Sequence, residues 1–311
     1  MRIADLKSSF KDGKIEKPEF IKNAYEQFHT KLFDYAANIG ATDIKEISID
    51  QRGVVFFIRS SGIKIRCQLG DHRSPPFETF NFADFEPRES LMMLKLFEGN
   101  KNFYDIGANI GWHSLTLAAR FRDACFYCFE PIPKTYEHLQ DNIALNSFSN
   151  IQTFNLALSD SNSLHDFFFY NACSGNASAA NLTGRSDVQT ISCPQKKLDD
   201  LLAEEVLSPP DFIKCDVEGA ELLVFQGAKE TLAQHKPMVM AEILRKWSAK
   251  FDYNPNQIFQ LFSRIGYSAF TTDGYSLLPF GEMTEETAET NFFFLHKDKH
   301  AAQIQRFLSV A

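Results

Sequence analysis

The chain has 311 residues, of which 44% are hydrophobic and 23% charged, a balance that suits a folded domain with a sizeable core. Its formal net charge is −8 and it contains no Lys/Arg block that would track a phosphate backbone, which argues against a nucleic-acid partner. No stretch is long and apolar enough to span a bilayer, and the polar, mixed-charge segment 1–17 does not read as a signal peptide, so the expected location is cytoplasmic.

Pro18 to Asn38 reads as one amphipathic helix, with Pro18 in its first turn and Gly40 at its stop. Ile21, Tyr25, Phe28, Leu32 and Ile39 recur at helical spacing, a stripe suited to packing on the main domain or on a second copy in a homodimer. Three short strands, 44–50, 54–59 and 63–69, turn at Gly53 and Gly62 and form an antiparallel meander. Segment 71–87, rich in Pro, Phe and charge, reads as a loop before a helix at 88–97. Residues 1–85 are thus expected to form an N-terminal extension, a cap for the acceptor or for an oligomer, on a main domain at 86–311.

From Asn102 the pattern alternates between strand and helix, the signature of a doubly wound α/β sheet. Strands are expected at 102–106, 124–129, 151–158, 211–216 and 238–243. Helices are expected at about 111–121, 133–146, 197–204, 219–234 and 255–265. An inserted strand pair, 164–170 and 188–193, brackets a loop of small residues at 171–187. Segments 267–271 and 291–296 suit an antiparallel hairpin at the edge of the mostly parallel sheet. Cys125 and Cys128 form a CxxC within a strand, where this spacing points the thiols to opposite faces, so buried thiols are expected rather than a metal site.

The sharpest motif is DIGANIG at 105–111, which ends one strand and opens a helix. Gly107 and Gly111 permit a tight turn and a close approach to a ligand, and the helix start offers free N–H groups. The spacing is not the dinucleotide GxGxxG, because Asn109 stands where the second glycine would be. A carboxylate at Asp105 would repel a pyrophosphate but suit a ligand carrying an ammonium and a sulfonium. Ala108 and Trp112 flank the turn. Glu130, ending the next strand, can accept hydrogen bonds from both ribose hydroxyls. Asn155 and Ala157, at the end of the third strand, fall where the adenine would lie.

These segments resemble the FkbM family of methyltransferases. The resemblance rests on FYDIGANIG at 103–111, FEP at 129–131, NLALSD at 155–160, IKCDVEGAE at 213–221, GAKETL at 227–232 and PMVMAE at 237–242. It runs over about half the chain, from Glu86 to Glu242. It implies a class I Rossmann-like methyltransferase using S-adenosyl-L-methionine, and O-methylation of sugars, glycans or glycosylated natural products. It does not reach residues 1–80 or 171–187, the regions expected to choose the acceptor. The alternatives are an N- or RNA-methyltransferase, a non-catalytic adenosine-binding scaffold, or an NAD-dependent dehydrogenase.

Methyl transfer to a hydroxyl requires alignment and a proton acceptor. Asp216, Glu218 and Glu242 stand at or just after the ends of adjacent strands, facing one crevice. They can serve as general base, as acceptors for sugar hydroxyls, or as ligands for a divalent cation. Asp216 also lies near the cofactor, and Lys214, on the same strand face, can pair with it. Glu218 reads equally as a helix N-cap, and Glu221 as a helix-surface or capping acid. His113, opening the helix after the glycine turn, is a further candidate base. Glu86 and Arg245 are secondary candidates for the pocket.

Overall fold

The structure is a computed structural model and describes residues 2–169, 178–182, 188–205 and 207–309. Two helices, α1 (Ile3–Lys11) and α2 (Lys17–Ala24), lead through a π-helical turn, Tyr25–His29, into α3 (Thr30–Ile39). The expected helix at 18–38 is therefore continuous but underwound at its centre, where the π-turn takes more residues per turn than an α-helix. Its apolar stripe packs on the rest of the chain only at its end: Ile39 packs against the buried cluster of the main domain, whereas Ile21, Tyr25 and Leu32 are 55%, 51% and 55% exposed.

Strands β1 (Ile44–Asp50), β2 (Gly53–Ile58) and β3 (Lys64–Arg66) form the antiparallel meander. Its inner face is not a separate core. Phe56, Ile58, Ile63 and Ile65 share one buried cluster with Met92, Phe97, Phe103, Phe126 and Phe212 of the following segments. Segment 71–87 departs from the expected loop, because it contains α4 (Pro75–Phe82). Ser74 starts this helix and Pro75 and Pro76 fill its first turn, where a missing N–H costs nothing. Helix α5 (Pro87–Phe97) follows, entered through Glu86 in the left-handed region at φ 44° and ψ 52°.

The alternating segment then yields β4 (Asn102–Ile106), α6 (Trp112–Arg120), β5 (Cys125–Phe129), α7 (Pro133–Asn146) and β6 (Ile151–Phe154). The expected strand at 151–158 is split. Its second half, β7 (Ala157–Leu158), leaves the main sheet to join β8 (Ser163–Phe169) and β9 (Gln189–Lys196) in a small sheet ordered β7-β9-β8. Most of the loop 171–187 lies outside the described residues. Next come α8 (Leu198–Ala203), β10 (Phe212–Cys215), α9 (Glu221–Gln226), α10 (Lys229–His235) and β11 (Met238–Glu242). The helix expected at 219–234 is broken at Gly227, where a Cβ would sit 1.9 Å from the Ser159 carbonyl oxygen. The chain closes with α11 (Arg245–Ser248), α12 (Asn256–Arg264), β12 (Tyr267–Thr272), β13 (Leu277–Phe280), β14 (Asn291–His296) and α13 (Ala301–Phe307).

The main sheet runs β13-β12-β14-β11-β10-β4-β5-β6. The five strands from β11 to β6 are parallel, and β14 pairs antiparallel with both β11 and β12. Residues 267–272 and 291–296 thus pair as expected, but β13 forms the edge. Placing β4 beside β10 creates a topological switch, because β5 and β6 extend the sheet one way and β10 and β11 the other. The crevice beyond the carboxyl ends of β4 and β10 is where such a sheet binds ligands. Cys128 is buried and Cys125 exposed, and both are free thiols. Among the described residues, no helix is long and apolar enough to cross a membrane.

Candidate active site

A cavity of about 550 Å³ opens over these strand ends, within the size range of small-ligand sites. Gly107, Asn109, Glu130, Ala157, Asp216, Glu218 and Glu242 all line it. Asp105, Ala108, Gly111, Trp112, His113 and Asn155 are absent from its lining and support it from behind.

The glycine turn is fastened to the neighbouring strand. Gly107 and Ala108 N–H both donate to the Phe129 carbonyl at 3.0 Å, and Asn109 N–H donates to Glu130 Oε2 at 3.0 Å. Gly107 is required by its own chain more than by a ligand, since a Cβ there would lie 1.8 Å from the Asp216 carbonyl oxygen. At Gly111 a Cβ would meet Leu139 of α7 at 2.6 Å. Both glycines have positive φ, 77° and 92°. Ala108 packs with Cys128 and Leu139 behind the turn.

Glu130 is buried, with Oε1 accepting the Ile132 N–H at 2.9 Å. Burial pushes its carboxyl up to about 7, against the pull of the Ile132 and Asn109 N–H groups. Each oxygen holds one backbone donor, so each keeps a lone pair for a further donor. Asn155 braces this corner, its Nδ2 donating to the Glu130 and Pro131 carbonyls at 2.9 Å.

Asp105 lies beneath the turn, 1% exposed. It accepts from Ser114 Oγ at 2.7 Å and faces Lys214 Nζ at 3.4 Å. Lys214 in turn reaches Asp216 at 3.4 Å and donates to the Gly107 carbonyl at 2.9 Å. Burial opposes the charge on Lys214, but Asp105 and Asp216 outweigh it and hold its ammonium form firmly. The lysine is thus a buried post between two strand ends.

Asp216, Glu218 and Glu242 converge, with one carboxylate oxygen from each lying within 4.8 Å of the others, a spacing that can hold a metal ion. Glu218 is not an N-cap: α9 starts at Glu221, and Glu218 sits in the left-handed region at φ 55°. Burial, then Asp216 and Glu221, push its carboxyl up to about 9. Burial, then Asp216, Glu218 and Glu86, raise Glu242 well above the carboxylate range. Asn109 Oδ1 and Asp216 Oδ1 are buried without a hydrogen-bond partner among the described residues. Both are acceptors, so the cavity fits a ligand rich in donors.

Three contacts were not legible in the sequence: the clamp made by Glu221, Ser178 on Glu218, and the pairing of Glu86 with His113. Glu221 is not a surface acid but is buried, and its Oε1 accepts the Val217 and Gly219 N–H groups at 3.2 and 3.0 Å, clamping the loop that carries Glu218. Ser178 Oγ, from the inserted segment, donates to the Glu218 carbonyl at 2.8 Å. Glu86, a secondary pocket candidate in the sequence, lines the cavity, and its Oε2 meets His113 Nε2 at 3.0 Å. Trp112 packs edge-on against Phe85 with ring centroids 5.5 Å apart. Arg245 points elsewhere, donating to the Glu285 carbonyl at 2.7 Å.

The family of the methyltransferase FkbM domain matches residues 105–269, just over half the chain. This chain belongs to the FkbM methyltransferase family. Its parallel strands and inserted antiparallel β14 give the FkbM domain the class I Rossmann-like sheet. The chain is 32% identical over 144 residues to 2-O-methyltransferase NoeI of Sinorhizobium fredii, covering 42% of this chain and 58% of that protein. It is 28% identical over 176 residues to methyltransferase sdnD of Sordaria araneosa, covering 48% and 67%. It is 26% identical over 168 residues to hexuronic acid methyltransferase AglP of Haloferax volcanii, covering 53% and 66%. The chain therefore matches between 58% and 67% of the length of these relatives.

Proposed function

We propose that the chain transfers a methyl group from S-adenosyl-L-methionine to a hydroxyl of a sugar, glycan or glycosylated natural product. The observation that carries this reading is the convergence of Asp216, Glu218 and Glu242 in the same cavity as the glycine turn and Glu130. Glu130 would hold the ribose hydroxyls, Ala157 and its neighbours the adenine, and the turn at Gly107 and Asn109 the link to the amino-acid end. When bound, the cofactor supplies an electrophilic methyl on a sulfonium.

The chain's own task is to align the acceptor oxygen and take its proton. A buried carboxylate with like-charged neighbours is a stronger base than a solvated one, because burial and repulsion both favour proton uptake. A sugar ring offers several hydroxyls as donors to the unsatisfied oxygens of Asp216 and Asn109. Arg73 and Lys250 line the same cavity on its exposed side. They suit an acceptor that carries a carboxylate or phosphate, in line with the hexuronic acid in the name of AglP. We assign the exposed stripe on α2 and α3 to a second copy of the chain.

Incubating the chain with methyl-labelled S-adenosylmethionine and a panel of neutral and acidic sugars, nucleotide sugars and glycan fragments tests this reading. Label is expected on an acidic sugar hydroxyl; transfer only to nitrogen or to RNA contradicts it. A chelator separates the two uses of the acid cluster. Activity that survives EDTA assigns the three acids to the proton and the hydroxyls, whereas loss restored by magnesium makes them cation ligands.

A further inference from the structure

Glu86 lies upstream of residues 105–269, and its left-handed backbone conformation is costly for any residue but glycine. Strain of this kind persists where a side chain is needed at a fixed place. Its Oε2 is held by His113 Nε2 at 3.0 Å, and Phe85 packs beside the imidazole. Its charge is felt by both Lys214 and Glu242, so it belongs to the electrostatic neighbourhood of the cavity floor.

The order of strands fixes which end of a bound cofactor would face it. Adenine over β6 and β7 and ribose over Glu130 at β5 leave the amino-acid end over β4 and β10. His113, in the first turn of α6 above β4, brings Glu86 to that end. Asp105, the acid that the motif offered for an ammonium, is sealed below by Ser114 and Lys214. Asp216 shares the same lysine. Glu218 and Glu242 converge with Asp216 in the acid cluster rather than beside α6.

We propose that Glu86, oriented by His113, receives the ammonium of the cofactor's amino-acid moiety. The inference rests on the cofactor reading above. Glu86 is then a binding residue supplied by the N-terminal part of the chain, and His113 is the positioning residue that fixes its carboxylate. Oε1, which has no partner among the described residues, takes the ligand, and Oε2 stays with the imidazole.

Calorimetry on the full chain with S-adenosylhomocysteine and with 5′-methylthioadenosine, which keeps the adenosine and thioether but lacks the amino acid, tests it. Glu86→Gln should weaken S-adenosylhomocysteine at least tenfold, the loss of a charge-assisted hydrogen bond, and leave methylthioadenosine unchanged. Glu86→Gly should show the same selective loss without lowering the thermal midpoint of the free chain, because glycine relieves the backbone. His113→Asn should weaken S-adenosylhomocysteine less than Glu86→Gln does. Unchanged S-adenosylhomocysteine binding in Glu86→Gln, or equal weakening of both ligands, overturns the proposal while leaving the cofactor reading intact. A wild-type chain that binds neither nucleoside overturns both.

Discussion

Glu242 and Glu218 differ in what they ask of experiment. Glu242 ends β11 and lines the acceptor side, so Glu242→Gln should lower turnover about 100-fold, the usual share of general acid–base catalysis. S-adenosylhomocysteine affinity should be unchanged by calorimetry; a variant that turns over normally removes Glu242 from the chemistry. Glu218 bears on stability. Its folded carboxyl is held up at about 9 against an ordinary 4.5, so the folded state binds the extra proton. The stability linked to that proton is complete below the unfolded pKa and is lost as pH rises through the folded one. His300 and His138 have lowered folded values, so their contributions are already complete above their ordinary 6.5. Between pH 7 and pH 9 the thermal midpoint of the free chain should therefore fall, at up to about 1.4 kcal/mol per pH unit for one group. Glu242, raised in the same direction, adds to the fall, so Glu218→Gln should make it shallower without abolishing it; an equally steep fall in that variant contradicts the assignment. At this scale the sequence showed Glu130 and the three acids, because each stands at or just after a strand end and strand ends share a crevice. It did not show Glu86 with His113, or Ser178 on Glu218, because those contacts join segments whose packing no local pattern encodes.

The turns between elements carry the tightest constraints. Gly107 and Gly227 each bring one loop against another, with a Cβ 1.8 and 1.9 Å from a carbonyl oxygen. Gly107→Ala and Gly227→Ala should each cost about 3 kcal/mol or leave the chain insoluble, whereas Gly281→Ala, with nothing within 4 Å, should be neutral. Thermal melts of the three variants check this; equal midpoints would mean the loops yield. Strands β4, β5, β10 and β11 were legible almost to the residue, since buried parallel strands read as continuous apolar runs between turn signals. Helix α4 was not, because Pro75-Pro76 reads as loop even though it suits a first helical turn. The break between α9 and α10 was also hidden, since only the approach of Ser159 explains it. The exposure of the α2 and α3 stripe could not be read either, because periodicity marks an apolar face without naming what covers it. That stripe predicts a dimer by light scattering, reduced to monomer by Ile21→Glu with Leu32→Glu; a wild-type monomer contradicts it.

Across the whole molecule, the meander and α5 share a core with the main sheet, and α5 delivers Glu86 to the cavity rim. The N-terminal part is thereby built into the cavity, to which it also contributes Arg73, Pro75 and Phe85. The central claim is that the crevice over β4, β5 and β10 binds S-adenosylmethionine and not a dinucleotide. Titrating the chain calorimetrically with S-adenosylhomocysteine and, separately, with NAD tests it most directly. Saturable binding of S-adenosylhomocysteine and none of NAD is expected. Binding of NAD with no response to S-adenosylhomocysteine would contradict it.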